Sequence, residues 1–180
     1  MKKLADRLGV NHHVSPLRFK LEGLKRDYPL SYARNLEEWM VGLANDRGFK
    51  VVQSPLRTAE CPSLPEPDQL SNEELAVGMC QTECLDIPQM LRLPAQIISR
   101  KSIDIDMLLL VATRERAERV LAELSRQAIK LDPQHEFWRR INDSFADRQG
   151  FSSPILHWTR LAEPVMKDGR CHAGKWRLVA

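Results

Sequence analysis

A chain is most constrained where apolar residues repeat at the helical period and the helix ends are written into the same stretch, and residues 70–146 do both. Ser71 followed three residues later by Glu74 makes a capping box, in which each side chain satisfies one of the backbone N–H groups orphaned at a helix start. Leu70 and Leu75 stand where a hydrophobic staple places them. A second helix is expected from Asp86, with Pro88 in its first turn, Ile87, Met90, Leu91, Ala95 and Ile98 on one side, and Pro94 inside, where it should kink the helix. Residues 102–112 read two ways. Ile103, Ile105 and Met107 alternate with Asp104 and Asp106 as in a strand, whereas Met-Leu-Leu-Leu favours helix, which is the reading taken. Over residues 113–131, Ala117, Val120, Leu121, Leu124 and Ala128 form a stripe, and Glu115 and Arg119 make an i,i+4 pair. Asp132-Pro133 ends that helix and caps the next, whose Phe137, Trp138, Ile141 and Phe145 share a face. The expectation is a mainly α protein with a multi-helix, bundle-like core.

The flanks read differently. Pro55, Pro62, Pro65 and Pro67 mark residues 54–69 as an extended connector, because each proline removes a donor and biases its predecessor away from helix. Before it, Tyr32, Leu36, Trp39, Met40 and Leu43 share one face of a helix expected from near Ser31 to Gly48, and residues 49–53 form a strand candidate. After residue 150, Pro154, Pro164, Gly169 and Gly174 interrupt the chain, and Asp168-Gly169 separates two short stretches, as in a small β-hairpin or extended arm. The division is an N-terminal helical unit over residues 1–53, the connector over 54–69, a helical core over 70–150, and a basic hairpin or arm over 151–180.

With 180 residues, the chain is long enough to bury a core without disulfide or metal staples. The net charge of +3 decides little, but its distribution is uneven. Residues 1–35 carry eight Lys/Arg against three acids, residues 36–100 five against ten, and residues 101–180 fourteen against eleven. Basic ends flank an acidic middle, a pattern suited either to a polyanion or to self-association. Met1-Lys2-Lys3 is not followed by the apolar run of a signal peptide, and residues 107–112 are far short of the roughly 20 needed to span a bilayer. A cytoplasmic protein with reduced thiols and no membrane partner is therefore expected.

Leu4-Ala5-Asp6-Arg7-Leu8-Gly9-Val10 resembles the start of a helix-turn-helix, with Ala5 small at the helix crossing and Gly9 at the turn. The resemblance covers about 20 residues and implies a DNA-reading second helix. The family's next apolar core position falls here at Ser15, with Val14 one residue early, and Pro16 stands where the recognition helix would continue. Four residues precede Ala5, too few for the first helix of the motif, as in a piece of a longer chain. The plain alternative is a pair of short helices packed on the core.

Other candidates carry less. Cys80 and Cys84, with Cys171-His172 and Cys61, offer soft zinc ligands, but the second half of a zinc knuckle is missing and Cys80 reads as a buried small residue. His157, Trp158, Arg160, Arg170, His172, Lys175, Trp176 and Arg177 combine cations with aromatic rings, as single-stranded nucleic-acid binders do, although tryptophans also anchor a hairpin to a helical core. Asp104 and Asp106 would share a strand face as paired metal ligands, but at a helix start they are dipole-favoured acids. His12-His13 has no ligand spacing. No phosphate-cradling glycine loop, Gly-x-Ser-x-Gly elbow or His-Glu-x-x-His is present.

The leading expectation is a non-catalytic helical binding protein, nucleic-acid-associated through its basic termini, with Arg7, Arg18, Lys20, Arg160, Arg170, Lys175, Trp176 and Arg177 as contacts and no cofactor. One alternative is a protein–protein adaptor or subunit in which the apolar faces of residues 31–48 or 114–131 complete their burial on another chain or a second copy. Another is a metal-dependent enzyme using Asp104 and Asp106.

Overall fold

In a computed structural model of the chain, the structure describes residues 15–49, 64–81, 89–100, 103–148, 162–167 and 170–178, the last two stretches as backbone alone. Among these residues the chain is mainly helical, and no helix is long and apolar enough to cross a membrane.

Helix α1 (Pro16–Asp27) starts from Ser15, whose Oγ accepts the Arg18 N–H at 2.9 Å, with Pro16 at the first helical position, where its missing N–H costs nothing. It stops at Tyr28, the residue before Pro29, and buries Leu17 and Leu21. The N-terminal unit is expected to be helical without bounds for this helix, which Ser15-Pro16 and the spacing of Leu17, Leu21 and Leu24 spell. Helix α2 (Leu36–Asp46) is capped by Asn35, whose Oδ1 accepts Glu38 N–H at 2.8 Å. It begins five residues later than Ser31, so Tyr32 precedes it and is 43% exposed. Its end is a Schellman motif: Gly48 N–H donates to Asn45 O and Phe49 N–H to Ala44 O, with Gly48 at φ 88°, which a side chain would resist. Beyond Phe49, which is buried, the strand candidate lies outside the described residues.

Helix α3 (Asn72–Met79) carries both bonds of the expected capping box, each 3.2 Å, and Leu70 and Leu75 are fully buried. A Cβ at Gly78 would sit 2.7 Å from Leu21 Cδ1, so glycine lets α1 pass close over α3. Helix α4 (Gln89–Ser99) runs through a buried Pro94; its expected beginning at Asp86 and Pro88 lies outside the described residues. Helix α5 (Ile105–Arg114) settles the strand-or-helix ambiguity as helix.

Two boundaries correct the sequence reading. Residues 113–131 are not one helix, because α5 ends at Arg114 and helix α6 starts only at Glu118 (Glu118–Leu131). The break is a second Schellman motif: Arg116 N–H donates to Thr113 O, Ala117 N–H to Ala112 O, and Arg116 takes the left-handed position at φ 58° that glycine usually fills. Without a glycine to mark it, this joint is silent in the sequence. Helix α7 (Glu136–Ser144) is capped not by Asp132-Pro133 but by His135, whose Nδ1 accepts Trp138 N–H at 3.5 Å; Asp132 instead closes α6. Strands β1 (Ala162–Lys167) and β2 (Arg170–Leu178) pair antiparallel, Ala162 opposite Leu178 and Lys167 opposite Arg170.

One buried cluster runs from Leu17 through Trp39, Met40, Leu75, Ile98 and Leu121 to Trp138, so α1 and α2 share their core with the helices after the connector. Helix α3 packs against α4 and α5, and α6 against α7. Two arginines fasten the connector's ends. Arg47 Nη1 donates to Asn72 Oδ1 at 3.0 Å and Nη2 to Leu70 O at 2.7 Å, while Arg100 Nη1 donates to Gly48 O at 2.7 Å and its guanidinium lies 5.2 Å over the Phe49 ring. Burial lowers the pKa of Arg47 from its ordinary value, and the Glu73 carboxylate opposes that shift.

Candidate functional site

Helix α5 gathers the unusual chemistry of the molecule on its two sides. At its inner end the Glu115 side chain is fully buried. Its Oε2 accepts Ser15 Oγ–H at 2.6 Å and Leu17 N–H at 3.3 Å, and its Oε1 accepts Arg114 Nε–H at 2.8 Å. A carboxylate from a distant part of the chain thus closes the N-terminus of α1 alongside the local cap, where partial positive charge favours it. Gln81 Nε2 donates to Ser15 Oγ, and Gln81 Oε1, buried, finds no donor. Ser15 Oγ gives one hydrogen bond and accepts two, the full capacity of a hydroxyl, so the group fastens α1, α3 and the α5–α6 joint rather than presenting a nucleophile.

The outer side is apolar. Leu110 is 67% exposed and Met107 37%, three residues apart on one face of α5. Asp106 and Arg114 border them, Asp106 in the first turn and Arg114 in the last. Asp106 is ion-paired with Arg140 of α7. Three consecutive leucines at residues 108–110 sweep about 200° of a helix, wider than a core-facing stripe, so one must face outward. That signal was legible and went unused. The faces expected to seek another chain are instead closed within this one: Trp39, Met40 and Leu43 of α2, and Val120, Leu121, Leu124 and Ala128 of α6, are all buried.

Of the expected nucleic-acid contacts, Arg18 and Lys20 have side chains among the described residues. Arg18 Nη2 lies 3.4 Å from Glu37 Oε1 and 3.9 Å from Glu22 Oε1. Lys20 Nζ spans both oxygens of Glu74 at 2.8 and 2.7 Å. Both cations pair with acids of this chain while staying partly exposed. Arg7 and Arg160 lie outside the described residues, as do His12 and His13, and Arg170, Lys175, Trp176 and Arg177 belong to β2, described as backbone.

Asp104 and Asp106 are exposed at the start of α5, where Asp104 Oδ1 accepts the N–H of Asp106 at 2.9 Å and of Met107 at 3.1 Å. This is a helix cap. Among the described residues no group of three His, Cys, Asp or Glu could hold a metal, and Cys80 is buried as a small core residue; Cys61 and Cys84 lie outside them. Two open clefts flank α7, one of about 540 Å³ lined by Glu136, Arg139, Arg140, Asp143 and Ser144, the other of about 310 Å³ against α6. Both signs of charge line the first, which suits neither a polyanion nor an apolar ligand.

No protein-family model, no curated protein and no solved structure matches the chain.

Proposed function

We propose that this chain is a non-catalytic helical subunit of a cytoplasmic protein assembly, and that its polypeptide partner docks on the outward face of α5. The supporting observation is the exposed Leu110–Met107 stripe, two apolar side chains one turn apart on α5; the other strongly exposed large apolar side chain on a described helix, Phe19 of α1 at 82%, stands alone on its helix. Binding through the basic ends is supported less well, since Arg18 and Lys20 already hold acids of α2 and α3.

A photo-crosslinking side chain placed at position 110 of the full chain, in the cells that make it, tests the reading. A covalent adduct with a polypeptide at 110, absent from a control position on the outer side of α7 such as 143, supports it. Absence of any adduct at 110 overturns it. The competing reading is addressed by titrating the purified chain into labelled duplex and single-stranded DNA. Binding that weakens about a thousandfold between about 50 and about 200 mM salt, and survives Leu110→Lys, would move the function to the basic termini.

A further inference from the structure

The outward face of α5 is complementary to its own reverse. Asp106, Leu110 and Arg114 are spaced by four, so they form one row along the helix: an acid, an exposed leucine and a base. Turning a second α5 antiparallel about a two-fold axis through Leu110 sets leucine against leucine and brings each Asp106 opposite the other copy's Arg114. Such self-complementarity is what a two-fold interface requires, since the same patch must serve on both sides. Met107, one position off the row, then lies opposite the other copy's Thr113 and widens the apolar strip. The helix dipole by itself favours an acid in the first turn and a base in the last, but it gives no reason to leave leucine 67% exposed between them.

The charges are available for this use. Arg114 gives Nε to Glu115 and carries further N–H donors on a side chain 52% exposed. The Asp106 side chain is 71% exposed beside Arg140, so a second guanidinium completes a base–acid–base row. We infer that the partner on the α5 face is a second copy of this chain, joined by antiparallel α5 helices with Leu110 on the axis and two Asp106–Arg114 pairs flanking it. This inference rests on the proposed function and names its partner. A ten-residue helix is about 15 Å long and covers less than the roughly 800 Å² per partner of a standard interface, so the dimer is weak, with a Kd on the order of ten micromolar.

Sedimentation equilibrium of the full chain across that concentration range decides it. Wild type should pass from monomer to dimer, and Leu110→Lys, which puts two like charges on the axis, should weaken dimerisation tenfold or more while leaving the helical circular dichroism unchanged. Asp106→Arg and Arg114→Glu should each weaken it, and an equimolar mixture of the two should recover a heterodimer, because acid again meets base across the axis. A wild type that stays monomeric, a dimer indifferent to Leu110→Lys, or a mixture that does not recover overturns the inference. Should a variant lose helicity, the wild-type mass alone still decides. A monomer that nevertheless forms an adduct at position 110 with a different polypeptide overturns the second copy and leaves the proposed function standing, whereas no adduct at all removes both.

Discussion

On the inner end of α5 a carboxylate is enclosed, and five residues earlier, on the outer side, a leucine faces water; an ordinary surface helix would have these reversed. The two departures differ in how they are resolved. Glu115 is satisfied by three donors from within the chain, so its burial is compensated and it acts as a fastener. Leu110 meets no such compensation among the described residues. A buried polar group with its partners supplied belongs to the fold, whereas the exposed Leu110 carries the association proposed above. The contrast yields measurable expectations.

Glu115→Ala should have the largest effect. It strands Ser15 Oγ–H and Leu17 N–H beside a cavity, while the exposed Arg114 guanidinium turns to water, and the loss in urea denaturation should be about 3 kcal/mol. A loss under about 1 kcal/mol would mean that water replaces the carboxylate and that the inner end is no more a fastener than the outer. Ser15→Ala removes the α1 cap and one of Glu115's donors together, and should cost about 2 kcal/mol. Arg116→Gly should act in the opposite direction. Relieving a left-handed non-glycine residue should raise stability by about 1 kcal/mol without changing the helical content. Smallest of all, Leu110→Lys should shift the unfolding free energy of the dilute monomer by no more than about 0.5 kcal/mol. If that substitution cost as much as Ser15→Ala, the leucine would be a core residue, and the contrast between the two sides would collapse.

How much of this was legible follows from what kind of signal each element carries. The capping box at Ser71 and Glu74 is local, and the structure has it where the sequence puts it. The inward stripe of α6 was readable because period and burial agree. The α5–α6 joint was not, since a Schellman turn built on arginine has no glycine to announce it, and the i,i+4 pair expected of Glu115 and Arg119 dissolves once Glu115 falls outside α6. Tyr32 misled for a related reason. Its spacing from Leu36 suits a helix, but Asn35 supplies the cap and the helix begins after it. The cluster of Ser15, Gln81 and Glu115 joins residues too far apart for any pattern of spacing to reveal. Arg18 and Lys20 looked like polyanion contacts because a sequence shows the sign of a charge without showing its neighbour.

The bond between Ser15 and Glu115 spans 100 positions. Closing so long a loop carries an entropic cost of about 4 kcal/mol, charged to the step at which the two ends meet. During synthesis α1 emerges with only its own serine to cap it, and its second cap arrives 100 residues later. Helix α1 is therefore translated well before it is locked, which makes Glu115 a checkpoint for its docking.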